Sequence, residues 1–170
     1  MKLKAVTVYM LIGLPGSGKS TWARTRAARS KSLVIVARDE LRRMLLGRYG
    51  VDPRTEPLVT ALTGAAVRFS VNRGLGAIVD ETNLTIRHRN RWIRNLKRID
   101  RRSGRAIRIV FVLFTESRRN LEYRMKDPRG MSRPEWAFVI DGMRKRIEEP
   151  RLSEGCDKIM KITVLPGSKT

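Results

Sequence analysis

The chain has one cysteine and one histidine, and less than half as many acidic residues as basic ones. Nowhere does it run about 18 apolar residues together, so no membrane-spanning helix is expected. Cys156 alone closes no intrachain disulfide, which fits a reducing, cytoplasmic setting. His88 has no companions at metal-ligand spacing, which favours a surface or phosphate-contact role over catalysis or metal binding. The N-terminal "MKLKAVTVYMLIG" begins with lysines before an apolar stretch, as a signal peptide does. No small-residue cleavage site follows it, however, and the run leads straight into a glycine-rich loop.

The shortage of acid has the largest consequence. Against 37 Lys and Arg stand 16 Asp and Glu, giving a net charge of +21. A base-composition bias can exchange lysine for arginine, but it cannot create net charge. An excess of this size repels itself, and a polyanion would relieve the repulsion. Nucleic acid is the natural polyanion in the cytoplasm, with a merely solvated basic surface as the alternative.

What is present reads as a folded α/β chain. At 170 residues and 41% apolar content, it is long enough to bury a core as a single domain over 1–170. Apolar runs at 5–12, 33–37, 76–80, 106–114 and 158–164 read as five strands, continuous as in a sheet covered on both faces. Helical patterns fall between them at 19–30, 39–47, 55–73, 85–102, 116–126 and 134–149. The alternation predicts a five-stranded parallel sheet with helices on both faces. "GRYGVDPRTEP" (47–57) and "KDPRGMSRP" (126–134) read as surface loops, and 165–170 as a frayed tail. No internal repeat or linker stands out.

Between the first strand and first helix, Gly13-Leu14-Pro15-Gly16-Ser17-Gly18-Lys19-Ser20 fits G-x-x-x-x-G-K-[ST] at every fixed position. The glycines let backbone N–H groups turn inward on phosphate oxygens. Lys19 offers a flexible charge to the β- and γ-phosphates, and Ser20 a hydroxyl to Mg²⁺. Thr21 is placed to reach the α-phosphate. The loop predicts binding of ATP or another nucleoside triphosphate with Mg²⁺.

The second strand ends in "ARDELR", which places Arg38 and Asp39 at the sheet edge where ligands bind. Asp39 has two readings, a helix N-cap or a proton acceptor for a hydroxyl during phosphoryl transfer. The third strand ends in "VDETNL", where Asp80 or Glu81 can serve the metal and Asn83 can brace the turn or meet substrate.

"GLPGSGKST", "RDELR", "DETNL" and a late arginine-bearing segment, in that order over residues 8–149, resemble the kinase domain of phage polynucleotide 5′-hydroxyl kinases. The resemblance implies a P-loop kinase of the adenylate-kinase-like branch with a helical lid, phosphorylating the 5′-hydroxyl of RNA or DNA with ATP and Mg²⁺. It implies that Lys19 and Ser20 hold ATP and metal, and that Asp39 is the general base. Arg42 would contact the transferring phosphoryl group or a substrate phosphate. Arg124 would be the first lid arginine and Arg129 the second, with Arg133 competing for that place. This chain carries two neighbouring acids, Asp80 and Glu81, where the family motif has one before Thr-Asn. The larger members' phosphatase domain and its D-x-D-x-T signature are not expected, so the resemblance implies a kinase alone.

The segment 85–105 holds nine Lys or Arg against one acid. Ile86, Trp92, Ile93, Leu96 and Ile99 recur near helical spacing and predict one face packed on the sheet. The remaining face is a solvated charge run, a docking surface, or a track for a phosphate backbone with Arg87 and Arg91 as contacts. The partner expected is a nucleic acid bearing a 5′-hydroxyl end, and a homo-oligomer remains compatible. Two other readings share the loop: a small-molecule kinase, and a nucleic-acid-binding ATPase.

Overall fold

The computed structural model describes residues 4–115 and 119–163. Five strands, β1 (Val6–Ile12), β2 (Leu33–Ala37), β3 (Gly76–Asp80), β4 (Ile107–Phe114) and β5 (Lys158–Ile162), form one sheet in the order β2-β3-β1-β4-β5. Every neighbouring pair is parallel, with Val8 opposite Ala77 and Ile109. The expected five-stranded parallel sheet is therefore what the chain forms.

The continuous apolar runs follow from two cores fed by alternate residues. Val8, Met10 and Ile12 of β1 point to one face with Phe111 of β4. They pack there against Val67 and Val71 of α3 (Glu56–Asn72) and Trp92, Ile93 and Leu96 of α4 (Ile86–Ser103). Leu11, Ile78, Val110 and Val112 point the other way, to Ala23 and Trp22 of α1 (Lys19–Ala28). A strand buried on both faces needs no polar alternation.

α2 (Arg38–Leu46) follows β2 without a loop and stops at Gly47, whose left-handed φ of 68° closes the helix. Two further helices, α5 (Asn120–Met125) and α6 (Arg133–Arg144), lie above the carboxyl edge of the sheet. Trp136 and Ile140 of α6 pack on Leu14 of the glycine-rich loop and Leu84 after β3, with Leu121 against them. A lid is thereby seated on the loop it covers.

Three expectations need adjustment. The run 134–149 stops as a helix at Arg144, because Glu148 has another partner: its carboxylate accepts the Ile86 N–H at 2.6 Å, and its own N–H bonds Leu84 O. It thus caps α4, and Pro150 bars any helical return. Of the expected helix 116–126, the described part is Asn120–Met125, and 116–118 lie outside the described residues. The strand expected to reach 164 is described only to Ile162, and residues 164–170 lie outside.

Candidate active site

The glycine-rich loop leaves β1 at Gly13, whose N–H is fixed to Thr82 O at 3.0 Å, so the loop is tied to the exit of β3. Gly16 and Gly18 take φ of 75° and 88°, which side chains rarely adopt, and a Cβ on Gly16 would collide with the Asn120 carbonyl. Leu14 turns inward under the lid, and Ser17 is buried, while Pro15, Gly16 and Gly18 line the cleft. The Lys19 ammonium, itself buried, donates to Gly13 O at 2.8 Å and Leu14 O at 2.7 Å. Burial lowers its pKa to about 8 against the pull of Asp80 and Asp39. Ser20 and Thr21 open the following helix, with Thr21 exposed.

The two acids after β3 part ways. Asp80 lies beside Ser20 and within electrostatic reach of Lys19, Asp39 and Arg129, and burial raises its pKa. Glu81 turns toward α4, accepting the Trp92 indole N–H at 3.3 Å with Arg38 at 4.0 Å, and burial raises its pKa too. A hydroxyl with a buried carboxylate suits a hard cation such as Mg²⁺, with phosphate and water oxygens completing its shell. Among the described residues, no group of three or more His, Cys, Asp or Glu would hold a metal unaided.

Asp39 does not cap its helix. Ala37 holds the cap position, and Asp39 sits within the first turn of α2, favoured there by the positive helix end. Its carboxylate is 53% exposed and gripped from both sides, Oδ1 by Arg42 at 2.6 Å and Oδ2 by Arg129 at 2.7 Å. Arg42 is buried and makes a second, forked pair with Glu56 at 2.6 and 3.1 Å. Arg38 joins the same carboxylate at 2.7 Å and donates to the Thr60 hydroxyl at 2.7 Å. These arginines hold the Glu56 pKa down at about 2.

The lid arginines are distinguishable here. Arg124 bonds Asp127 and lies 5.0 Å from the centre of the Trp136 ring. Arg129 spans Asp39 and Asp127, and stacks 4.2 Å above the Tyr49 ring. It does so with a left-handed φ of 53°, a conformation uncommon outside glycine. Arg133 pairs with Glu122 on the lid surface instead.

Other expected site residues are scattered. Arg91 lines the cleft, whereas Arg87 is exposed outside it. Asn83 is buried and donates to Leu11 O at 2.9 Å, so its amide braces the turn instead of reaching into solvent. The charged face expected for α4 needs correcting at Arg89, which is fully buried. It forks onto Glu154 at 2.7 and 2.9 Å and donates to the Asn83 and Leu84 carbonyls.

Sequence reasoning missed Glu56, Asp127 and Tyr49, all of which line the cleft. Glu56 carried a faint signal, an acid before proline at a helix start. Asp127, an acid lying between Arg124 and Arg129, carried another.

Together the glycine-rich loop, Asp80, Asp39 and the lid arginines face one open cleft of about 2250 Å³ at the carboxyl edge of the sheet. The fold and loop define a P-loop kinase domain, one built to bind a nucleoside triphosphate such as ATP. Residues 8–150 match an AAA domain family, and the chain belongs to that family.

Solved structures agree on the fold. Two chains of the Pnkp1/Rnl/Hen1 RNA repair complex are similar: one at 26% identity over 75% of this chain and 40% of that one (TM-score 0.61), the other at 22% over 85% and 47% (0.66). This chain thus spans less than half their length. A fungal RNA kinase superposes over all of this chain and 80% of its own at 10% identity, with TM-score 0.77. The APS kinase CysC of Mycobacterium tuberculosis covers 96% of this chain and 90% of its own at 19%, with TM-score 0.57. Among the described residues, no helix is long and apolar enough to cross a membrane.

Proposed function

We propose that the chain transfers the γ-phosphoryl group of ATP to the 5′-hydroxyl of a polynucleotide. The observation that carries the reading is the Asp39 carboxylate, half exposed in the cleft between Arg42 and Arg129 and facing the loop that would hold the triphosphate. The excess of basic residues supports a polyanionic acceptor, as does the likeness to a chain of the Pnkp1/Rnl/Hen1 complex.

In this reading the backbone from Gly13 to Gly18 cradles the phosphates, and Lys19 exchanges its carbonyl partners for phosphate oxygens. Ser20 and Asp80 would hold Mg²⁺, which supplies charge neutralisation at the phosphates when bound. Asp39 takes the proton of the acceptor hydroxyl, and that oxygen bonds to the γ-phosphorus. The bond to the β–γ bridging oxygen breaks, and ADP leaves. Arg42 keeps the carboxylate oriented. Arg129 moves from Asp39 to the phosphoryl oxygens, freeing the base as it stabilises the charge in flight. Arg124 contributes the same from the lid.

The test is label transfer from γ-labelled ATP to a 5′-hydroxyl oligonucleotide. A 5′-phosphorylated product is expected. Label reaching only a nucleoside or another small acceptor would replace this reading with that of a small-molecule kinase, for which the likeness to APS kinase speaks. ATP hydrolysis without any acceptor would indicate a nucleic-acid-binding ATPase.

A further inference from the structure

We propose that the groove between α3 and α4 carries the body of the acceptor strand, running away from a 5′ end placed at Asp39. The inference rests on the polynucleotide-kinase reading, but its support is separate. α3 turns Thr60, Gly64, Arg68 and Asn72 to the groove at successive intervals of four, one ridge of a helix. From the facing side α4 contributes Arg94, Asn95, Arg98 and Arg102. The upper groove opens into the catalytic cleft, and the lower part is a pocket of about 330 Å³. Asn95 and Arg98 line both, so the two adjoin. At the head of the groove, Thr60 accepts from Arg38, the residue next to Asp39.

The charges in this groove are uncompensated. Arg68, Arg94, Arg98 and Arg102 are exposed, and among the described residues none has a carboxylate partner. Arg94 and Arg98, and Arg98 and Arg102, stand four apart, where like charges on a helix repel. A row of phosphates would turn that repulsion into attraction. Asn72 and Asn95 add amide donors, and no aromatic ring lines the lower pocket. Such a lining grips sugar–phosphate backbone without reading bases. From Arg91 to Arg102 the helix rises by roughly 16 Å, room for a few nucleotides.

The experiment compares 5′-hydroxyl oligonucleotides from a dinucleotide to an octanucleotide on the wild-type protein and on two double variants, Arg94→Gln/Arg98→Gln and Arg68→Gln/Arg102→Gln. On the wild type, kcat/KM is expected to climb about tenfold with length and then level off. Each double variant should lose about tenfold on the octanucleotide while keeping the dinucleotide rate, the KM for ATP and the melting temperature. The salt slope should flatten by about 0.7 for each phosphate that is no longer neutralised. A wild-type rate independent of length, or variants equal to wild type on every acceptor, overturns the groove. In parallel, fluorescence anisotropy follows a 5′-phosphorylated octanucleotide, which binds without reacting. If oligonucleotides are not phosphorylated but the variants still weaken this binding, the activity assignment fails and the groove stands as a nucleic-acid site. If an acidic peptide binds there and the oligonucleotide does not, the groove belongs to a protein partner and the proposal falls.

Discussion

At the catalytic edge, Arg38 and Arg42 reach Glu56 at 2.7 and 2.6 Å, and Arg129 reaches Asp39 at 2.7 Å. Down the α3–α4 groove, Arg68, Arg94, Arg98 and Arg102 meet no carboxylate among the described residues. The same side chain is used in two ways. Paired, its planar fork is a rigid part that fixes where a carboxylate points. Unpaired, it is open charge, with repulsion that a ligand can relieve. The net charge therefore says little about where charge is available, because most of the chemistry-bearing arginines are already committed.

The contrast can be broken at several points. Asp39→Asn should lower turnover about 10²–10⁴-fold with little change in ATP affinity, measured by steady-state kinetics and calorimetric titration. An equal loss of ATP affinity would make the paired cluster structural only. Glu154→Gln leaves the fully buried Arg89 without its countercharge, and urea titration should show a loss of about 3–5 kcal/mol. A loss under about 1 kcal/mol would mean the carbonyl contacts suffice for Arg89.

The third change concerns pH. Because Arg42 and Arg38 hold the Glu56 pKa at about 2 against an ordinary 4.5, its ionised form is favoured by folding. That stabilisation is complete above pH 4.5 and disappears as pH falls toward about 2, on the order of 2 kcal/mol once partial exposure is allowed for. Acid unfolding of Glu56→Gln should lack this limb. Lys19 is the opposite case, a base whose pKa burial lowers to about 8. Below that pH it is charged and ready for phosphate. Above it a proton must be taken up on binding, so ATP affinity should fall by up to about tenfold per pH unit, a break that Lys19→Arg removes. Smallest of all, Arg98→Gln should leave stability within about 0.5 kcal/mol, since the folded state gives this side chain no carboxylate to pair with.

The sheet was legible because its signal is repeated and local: five apolar runs, the central three (β1, β3 and β4) buried on both faces, with glycines at the loop between the first strand and helix. The arginine partners were not. Glu56 lies 14 residues from Arg42 along the chain, and Glu154 lies 65 from Arg89. Nothing in a one-dimensional pattern distinguishes a solvated arginine from one folded inward at such separations. Asp80 and Glu81 were indistinguishable for a related reason. Adjacent residues leaving a strand point to opposite sides, and the side that faces Ser20 is set by β3 pairing with β1. Arg129 separated from Arg133 only once the left-handed turn at 129 aimed it back at Asp39.

The register of β1 has a bearing on how the chain acquires its shape. β1 pairs with residues 77–79 on one edge and 107–113 on the other, and its loop is anchored to Thr82. Every one of those partners leaves the ribosome long after residues 6–12 do. At about 5–20 residues per second, β1 waits several seconds for them as an apolar ribbon with both edges open. Loop closure over such separations is slow as well. The phosphate cradle, synthesised before its partners, is thus completed only after they arrive. The anchor that Thr82 gives the loop exists only once β3 has been made.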